Sequence, residues 1–290
     1  MTRVCIVGPG RVGTLLATAG TRAGWRVVAV AGGRPQQREA VTSRVVGARA
    51  VADVDGLTAV VGTVDLLLLA VPDDAIEGVV EALVRADALT PDHRVVHVAG
   101  SRGVSVLRRA RLAGARTAAC HPATTVPTGA TDPDLLVGVP WAVTAAPGDL
   151  GWARELVTSL GGDPHEVAED ARTTYHAALT LASNAVGAAV VAARRLLLAA
   201  QVPAPESFVA PLAHTSVDTA AAAGATALTG PIVRGDVGTV AAHLDRIARD
   251  LPELLVSYRA LSRAVLEPVR PALDPNVAAE FDALLADQER

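Results

Sequence analysis

The chain has 290 residues, more than one ordinary core holds and enough for two domains. Half of the residues are hydrophobic and only 2% are aromatic, so the interior has to be assembled from Ala, Val, Leu and Gly. A formal net charge of -4, spread without blocks, argues against a nucleic-acid partner, and because all 26 basic residues are Arg, lysine-based Schiff-base and general-acid chemistry is ruled out.

The sequence runs from Met1 directly into an apolar stretch, without the layout of an export signal, so a cytoplasmic protein is expected. Cys5 and Cys120 are too few for a disulfide framework, and no ligand cluster such as paired CxxC or HExxH is present, so no metal site is expected.

Taken in chain order, the first half alternates short apolar runs with helical patterns, which predicts successive βαβ units and a parallel sheet. Strands are predicted at 3–7, 26–31, 65–71, 94–98, 117–120 and 141–144. A helix over 12–23 carries Leu15, Leu16 and Ala19 at helical spacing, and another follows Asp73 and Asp74, which read as N-cap residues rather than catalysts. After Ala145 the pattern gives a helix at 151–160 and a short strand at 164–167. Ala-rich helices then follow at 172–200, 206–223, 236–251, 252–266 and 277–286. The expected fold class is therefore α/β: an N-terminal Rossmann dinucleotide-binding domain over 1–168, then an all-α C-terminal domain over 169–290.

The uncharged run 175–193 nearly reaches the ~20 residues of a membrane span. It is mostly Ala, contains His176, Thr180, Ser183 and Asn184, and is followed by Arg194 and Arg195, so it reads as a helix buried between domains or subunits and no membrane is expected.

Gly8-Pro9-Gly10-Arg11-Val12-Gly13 is a GxGxxG pattern placed between an apolar strand and a helix, the context in which the pattern has a mechanism. Gly8 allows the tight turn, Gly10 lets backbone approach a pyrophosphate, and Gly13 lets helix and strand pack closely. At the end of the second strand the chain reads Ala31-Gly32-Gly33-Arg34, without the carboxylate that would bind a ribose 2′-hydroxyl. Arg34, helped by Arg38, favours a 2′-phosphate, so NADP is the expected cofactor, with NAD the alternative. Val71 and Pro72, ending the third predicted strand, are expected to line the nicotinamide side.

Six segments together carry a family resemblance. They are Gly8 to Gly13, Ala70-Val-Pro-Asp-Asp74, His97-Val-Ala-Gly-Ser101, His121-Pro122, Tyr175-His-Ala-Ala178 with Ser183-Asn184, and Thr229-Gly-Pro-Ile-Val-Arg-Gly-Asp236. On these the chain resembles Rossmann-like proteins with a helical C-terminal domain of formerly unknown function. It is similar more broadly to pyrroline-5-carboxylate reductase, ketopantoate reductase, β-hydroxyacid dehydrogenases, prephenate dehydrogenase and proteins with a C-terminal domain like that of 6-phosphogluconate dehydrogenase. The resemblance implies nicotinamide-dependent oxidation or reduction in a dimer joined through the helical domain. It also implies that, if Asn184 is the family's helix asparagine, Thr180 stands where relatives have a catalytic lysine.

With no lysine to give a proton, a histidine becomes the candidate, or the substrate is one needing less acid assistance, such as an imine. His121 follows a strand and precedes Pro122 at the expected carboxyl edge, and prephenate dehydrogenases show a similar His-Pro. His176, Thr180 and Asn184, spaced i, i+4, i+8, are expected on one helix face. Ser101 is read either as a ligand contact or as the cap of a helix over 104–113, and His97 as structural. Arg234 is the candidate for a substrate carboxylate, with Asp236 as an N-cap and His243 as a packed or weakly functional residue.

Together these predict an NADP-dependent oxidoreductase. It would pass hydride between NADP(H) and a small carboxylate-bearing oxo or imino substrate, such as a 2-oxo acid like ketopantoate or a cyclic imine. The catalytic set is His121, His176, Asn184, Thr180 and Ser101; Arg234 binds substrate; Gly8, Pro9, Gly10, Arg11, Val12, Gly13, Arg34, Val71 and Pro72 bind cofactor. The alternatives are a non-catalytic dinucleotide sensor and a deazaflavin-linked NADP oxidoreductase.

Overall fold

A computed structural model describes residues 1–286. Residues Met1–Thr180 form one compact unit and the chain from Leu181 onward a second. That division falls beyond the change of rhythm near Glu169, inside the first long helix.

The first unit contains β1 (Arg3–Val7), α1 (Arg11–Arg22), β2 (Arg26–Ala31), α2 (Pro35–Thr42), β3 (Arg49–Val51), α3 (Val54–Val61) and β4 (Leu66–Leu69). It continues with α4 (Ile76–Arg85), β5 (Arg94–His97), α5 (Arg108–Leu112), β6 (Arg116–Pro122), β7 (Pro140–Ala145), α6 (Pro147–Ser159), β8 (Asp163–Glu166) and α7 (Arg172–Thr180). The strands make one sheet in the order β3-β2-β1-β4-β5-β6-β7-β8, parallel except where β7 runs against β6. This is the expected Rossmann-like α/β architecture.

β1 and β4 are apolar on both faces because helices cover the sheet on both sides. Val4 and Ile6 face a cluster with Leu15 and Leu16 of α1, while Cys5 and Val7 face one with Val60, Ile76 and Leu83. Both cysteines are free and fully buried. The strand order reverses beside β1, which pairs in parallel with both β2 and β4, so the crevice beyond their carboxyl ends is where this fold presents a ligand site.

Three elements went unanticipated. β3 is a three-residue edge strand containing Arg49, too short and polar for an alternation signal. α2 is a polar helix, and α3 starts at Asp53, whose side chain accepts from Gly56 N at 2.8 Å. Asp73 and Asp74 do not cap a helix: Pro72 occupies the cap position, and a 3-10 turn over Asp73–Ala75 leads into α4.

The second unit contains α8 (Val186–Ala199), α9 (Glu206–Ala223), α10 (Val237–Asp250), α11 (Leu255–Val269) and α12 (Pro275–Leu285). Its core is Ile232, Val240, Leu244, Leu266 and Phe281, drawn from α10, α11, α12 and the loop before α10. α8 buries none of its residues and α9 only Val209, and neither contributes to this core. The helix Arg172–Ala199 is long and apolar enough to cross a membrane by length and composition, and none of its apolar window is buried. Within the single chain its small Ala side chains are not covered.

Candidate active site

The turn from β1 into α1 is shaped by its glycines. Gly8 sits at φ +102°, and a methyl group there would run into the Ala70 carbonyl at the end of β4. Gly13 abuts the Gly8 carbonyl in the same way, which locks α1 against the strand. Gly10 differs, since a methyl group on it would meet nothing within 4 Å. α1 starts there with no side-chain cap and no acidic residue in its first turn. Its first N–H groups, lacking helical partners, face this open side with the positive end of the helix dipole. Such a cradle fits a diphosphate.

The end of β2 folds onto this turn. Gly33 lies so close to Pro9 that a methyl group would approach its Cγ to 2.8 Å, which brings the exposed Arg34 beside the glycine-rich loop. Gln37 Oε1 accepts from Arg34 N at 2.9 Å, holding the start of α2. Arg38 has another task from the one expected. It is buried and its Nη1 donates to the carbonyls of Gly32 (3.0 Å) and Gly33 (2.6 Å), so it braces the loop from behind.

Beyond β4, Val71 is half-buried and Pro72 exposed at the rim of the crevice. Asp73 Oδ2 accepts from Ser101 Oγ at 2.6 Å, joining the segments that follow β4 and β5. Ser101 is therefore not a helix cap. Glu169 takes that role, accepting from Val104 N at 2.7 Å and Ser105 N at 3.0 Å. His97 is buried, with Nε2 donating to the Gly103 carbonyl at 2.8 Å and Nδ1 accepting from Ala99 N at 3.2 Å. Burial lowers its pKa to about 4 and the ring serves as a neutral brace.

Two further histidines meet over Gly100. His121, near the end of β6, stands edge-on to His176 of α7 at 6.0 Å between ring centroids. A methyl group on Gly100 would lie 2.9 Å from His121 Nε2 and 3.1 Å from His176 Nε2, so the missing side chain leaves both nitrogens their space. His121 Nδ1 is 3.0 Å from the Tyr175 hydroxyl. Burial, assisted by the Arg172 guanidinium, lowers the His121 pKa to about 4, and the ring is neutral at neutral pH. Burial also raises the Tyr175 phenol above its ordinary value.

Sequence reasoning did not single out Tyr175 or Arg172 as site residues. The one available signal was an arginine opening an otherwise Ala-rich helix. Arg172 is 1% exposed and donates to Thr144 Oγ1, Ala119 O and Ala142 O.

Two family models divide the chain in keeping with this architecture. A Rossmann-like domain matches residues 1–122, and a domain of unknown function, DUF2520, matches residues 139–265. The chain thus carries a Rossmann-like domain followed by a DUF2520 domain.

No curated protein matches the chain. Solved structures with this fold include a candidate NADP oxidoreductase from Bacteroides fragilis, 21% identical, covering 92% of this chain and 98% of that one at a TM-score of 0.76. An imine reductase from Myxococcus stipitatus in complex with NADP+ is 17% identical over 97% of this chain and 99% of its own, at 0.65. A prephenate dehydrogenase from A. aeolicus, in complex with hydroxyphenyl propionate and NAD+, is 17% identical over 94% of this chain and 96% of its own, at 0.55. At these identities the likeness is one of fold.

Within the DUF2520 part, His176 and Thr180 lie on α7 and Asn184 in the turn that follows it. The α-helical spacing stops at Thr180, because Leu181–Ala185 is a π turn, and Thr180 Oγ1 donates to the His176 carbonyl at 2.9 Å. Asp236 caps α10, accepting from Thr239 N at 2.9 Å, which leaves Arg234 exposed. His243 is also exposed, with Nδ1 2.7 Å from the Tyr258 hydroxyl, so it is a surface residue and not a packed one.

Proposed function

We propose that the chain is an NADP-dependent oxidoreductase that transfers hydride between NADP(H) and a small carboxylate-bearing oxo or imino substrate. The observation that carries this reading is the uncapped start of α1, open at Gly10, with Arg34 beside it and no carboxylate at the end of β2. The first-turn N–H groups of Gly10 to Gly13 would hold the diphosphate and Arg34 the 2′-phosphate. Nicotinamide would supply the electron pair as hydride.

This chain's own residues manage the proton. In the first unit His121 and His176 offer Nε2 atoms around Gly100, and Ser101 and Asp73 border the same carboxyl edge. A proton donor there turns the reacting heteroatom into a hydroxyl or amine as hydride reaches its carbon. In the second unit Arg234 is the proposed holder of a substrate carboxylate and Asn184 a proposed substrate contact. Thr180, its hydroxyl given to the His176 carbonyl, is a poor substitute for a lysine donor.

The exposed apolar side chains on α8 and α9 support a homodimer joined through these helices. They include Val191, Phe208, Leu212 and Val217, around a groove of about 770 Å³.

Calorimetry with NADPH and NADH tests the reading. The native chain should bind NADPH at least tenfold tighter, and Arg34→Asp should abolish or reverse that preference. Equal affinities in both proteins would refute the NADP assignment, and no affinity for either nucleotide would refute the enzyme.

A further inference from the structure

Arg172 is a buried charge with no carboxylate hydrogen-bonded to it among the described residues. Its Nε donates to Thr144 Oγ1 at 2.8 Å, its Nη2 to Ala119 O at 2.8 Å and Ala142 O at 3.1 Å, and its Nη1 to nothing. Taking a guanidinium out of water without an anion costs several kcal/mol, so a helix anchor alone would be better served by an apolar side chain. These bonds clamp the first turn of α7 across β6 and β7, where His121 pairs with Ala142. Three residues further along the helix, Tyr175 meets His121 Nδ1.

We propose that Tyr175 and Arg172 are positioning residues for proton delivery by His121: Tyr175 passes its hydroxyl proton to Nδ1 as Nε2–H goes to the substrate heteroatom, and Arg172 stabilises the resulting tyrosinate. The inference rests on the hydride-transfer reading above. A neutral imidazole alone is too weak an acid, because losing Nε2–H would leave an imidazolate. Taking a second proton at Nδ1 removes that obstacle.

Hydride forms the new C–H bond, and the carbonyl or imine π pair becomes a lone pair on the heteroatom. His121 Nε2–H breaks as heteroatom–H forms, and Tyr175 O–H breaks as Nδ1–H forms. His121 ends neutral in its other tautomer, and the negative charge rests on the Tyr175 oxygen until water returns a proton.

The charged surroundings suit this direction. His121 faces Tyr175, His176 and Arg172 from α7, His97 from β5 and Asp73 from the turn after β4. Arg172 faces Cys120, Tyr175 and Glu169, and its charge opposes the burial that raises the phenol.

Imidazole nitrogen NMR on the whole chain, read beside turnover, tests the relay. His121 should carry its proton on Nε2 and stay neutral down to about pH 5. Arg172→Met should raise its titration by about one pH unit, which Arg172→Lys should largely prevent. Tyr175→Phe should lower kcat about a hundredfold with substrate KM within threefold and NADPH affinity unchanged. A proton on Nδ1, or native kcat in Tyr175→Phe, overturns the relay. If Arg172→Met does not fold, the tautomer and Tyr175→Phe still decide. Absence of nicotinamide binding in the native chain overturns the parent reading, which the tautomer measurement does not address.

Discussion

Ser101 Oγ donates to Asp73 Oδ2 at 2.6 Å, and this one bond links the segments leaving β4 and β5, two neighbouring strands at the carboxyl edge of the sheet. A hydrogen bond to a carboxylate is worth about 1.5–3 kcal/mol when well sheltered, and about 1 kcal/mol at this half-buried position. Ser101→Ala should therefore fold with a modest loss of melting temperature while loosening the crevice around the reacting atoms. Steady-state NADPH oxidation should show kcat/KM reduced about tenfold, and Ser101→Thr should restore most of it. Unchanged kinetics in Ser101→Ala would remove this pair from the site.

The glycines of the first turn separate folding from binding. Gly8→Ala meets both a positive φ and the Ala70 carbonyl, so it should cost about 2 kcal/mol or more in thermal unfolding. Gly10→Ala has ordinary backbone angles and free space, so its melting curve should match the native one. A diphosphate seated against the turn would meet the new methyl group, and NADPH affinity by calorimetry should fall at least tenfold. If Gly10→Ala binds NADPH normally, the diphosphate does not rest there.

The contrast between those glycines also explains what sequence could disclose. β1 and α1 were legible because Val4 to Val7 form an apolar run, Leu15 and Leu16 repeat at helical spacing, and the glycines between them have one mechanical explanation. β3 was hidden because an edge strand of three residues needs no hydrophobic alternation. His121 could be placed at a strand end, but its meeting with Tyr175 depends on how α7 is clamped by Arg172, a long-range register that no local pattern records. The π turn over Leu181–Ala185 is likewise a departure that helical periodicity alone does not anticipate.

Acid should unfold the protein over a definite window. His97 and His121 both fall from an ordinary 6.5 to about 4 in the folded chain, chiefly through burial. Below pH 6.5 the unfolded chain takes up protons that the folded chain refuses, so the stability these two rings allow is lost as pH falls from 6.5 towards 4, and their contribution levels off beneath that. The displacement amounts to about 3 kcal/mol per ring at most. Differential scanning calorimetry should find a plateau above pH 7 and a melting temperature lower by about 10 °C at pH 4.5. His97→Gln removes one of the two rings and should roughly halve that fall. A flat profile between pH 7 and 4.5 would mean that neither ring is buried as neutral imidazole.

The apolar face of the second unit gives the last test. Phe208 and Leu212 of α9 are 57% and 70% exposed, and Val191 of α8 is 60% exposed, an arrangement that isolated chains rarely tolerate. Membrane insertion would bury the same residues. Yet Arg194 and Arg195 are on α8, Asp218 is on α9, and α9 also carries His214, Thr215 and Ser216, polar groups that are costly in lipid but easily accommodated at the edge of a protein contact. Sedimentation equilibrium should give twice the 29.5 kDa chain mass for the native protein and the single mass for a Phe208→Glu, Leu212→Glu variant. Because neither side chain belongs to the first unit, the variant should keep NADPH affinity. A native chain that sediments at its single mass without detergent, or that enters liposomes, would overturn the dimer.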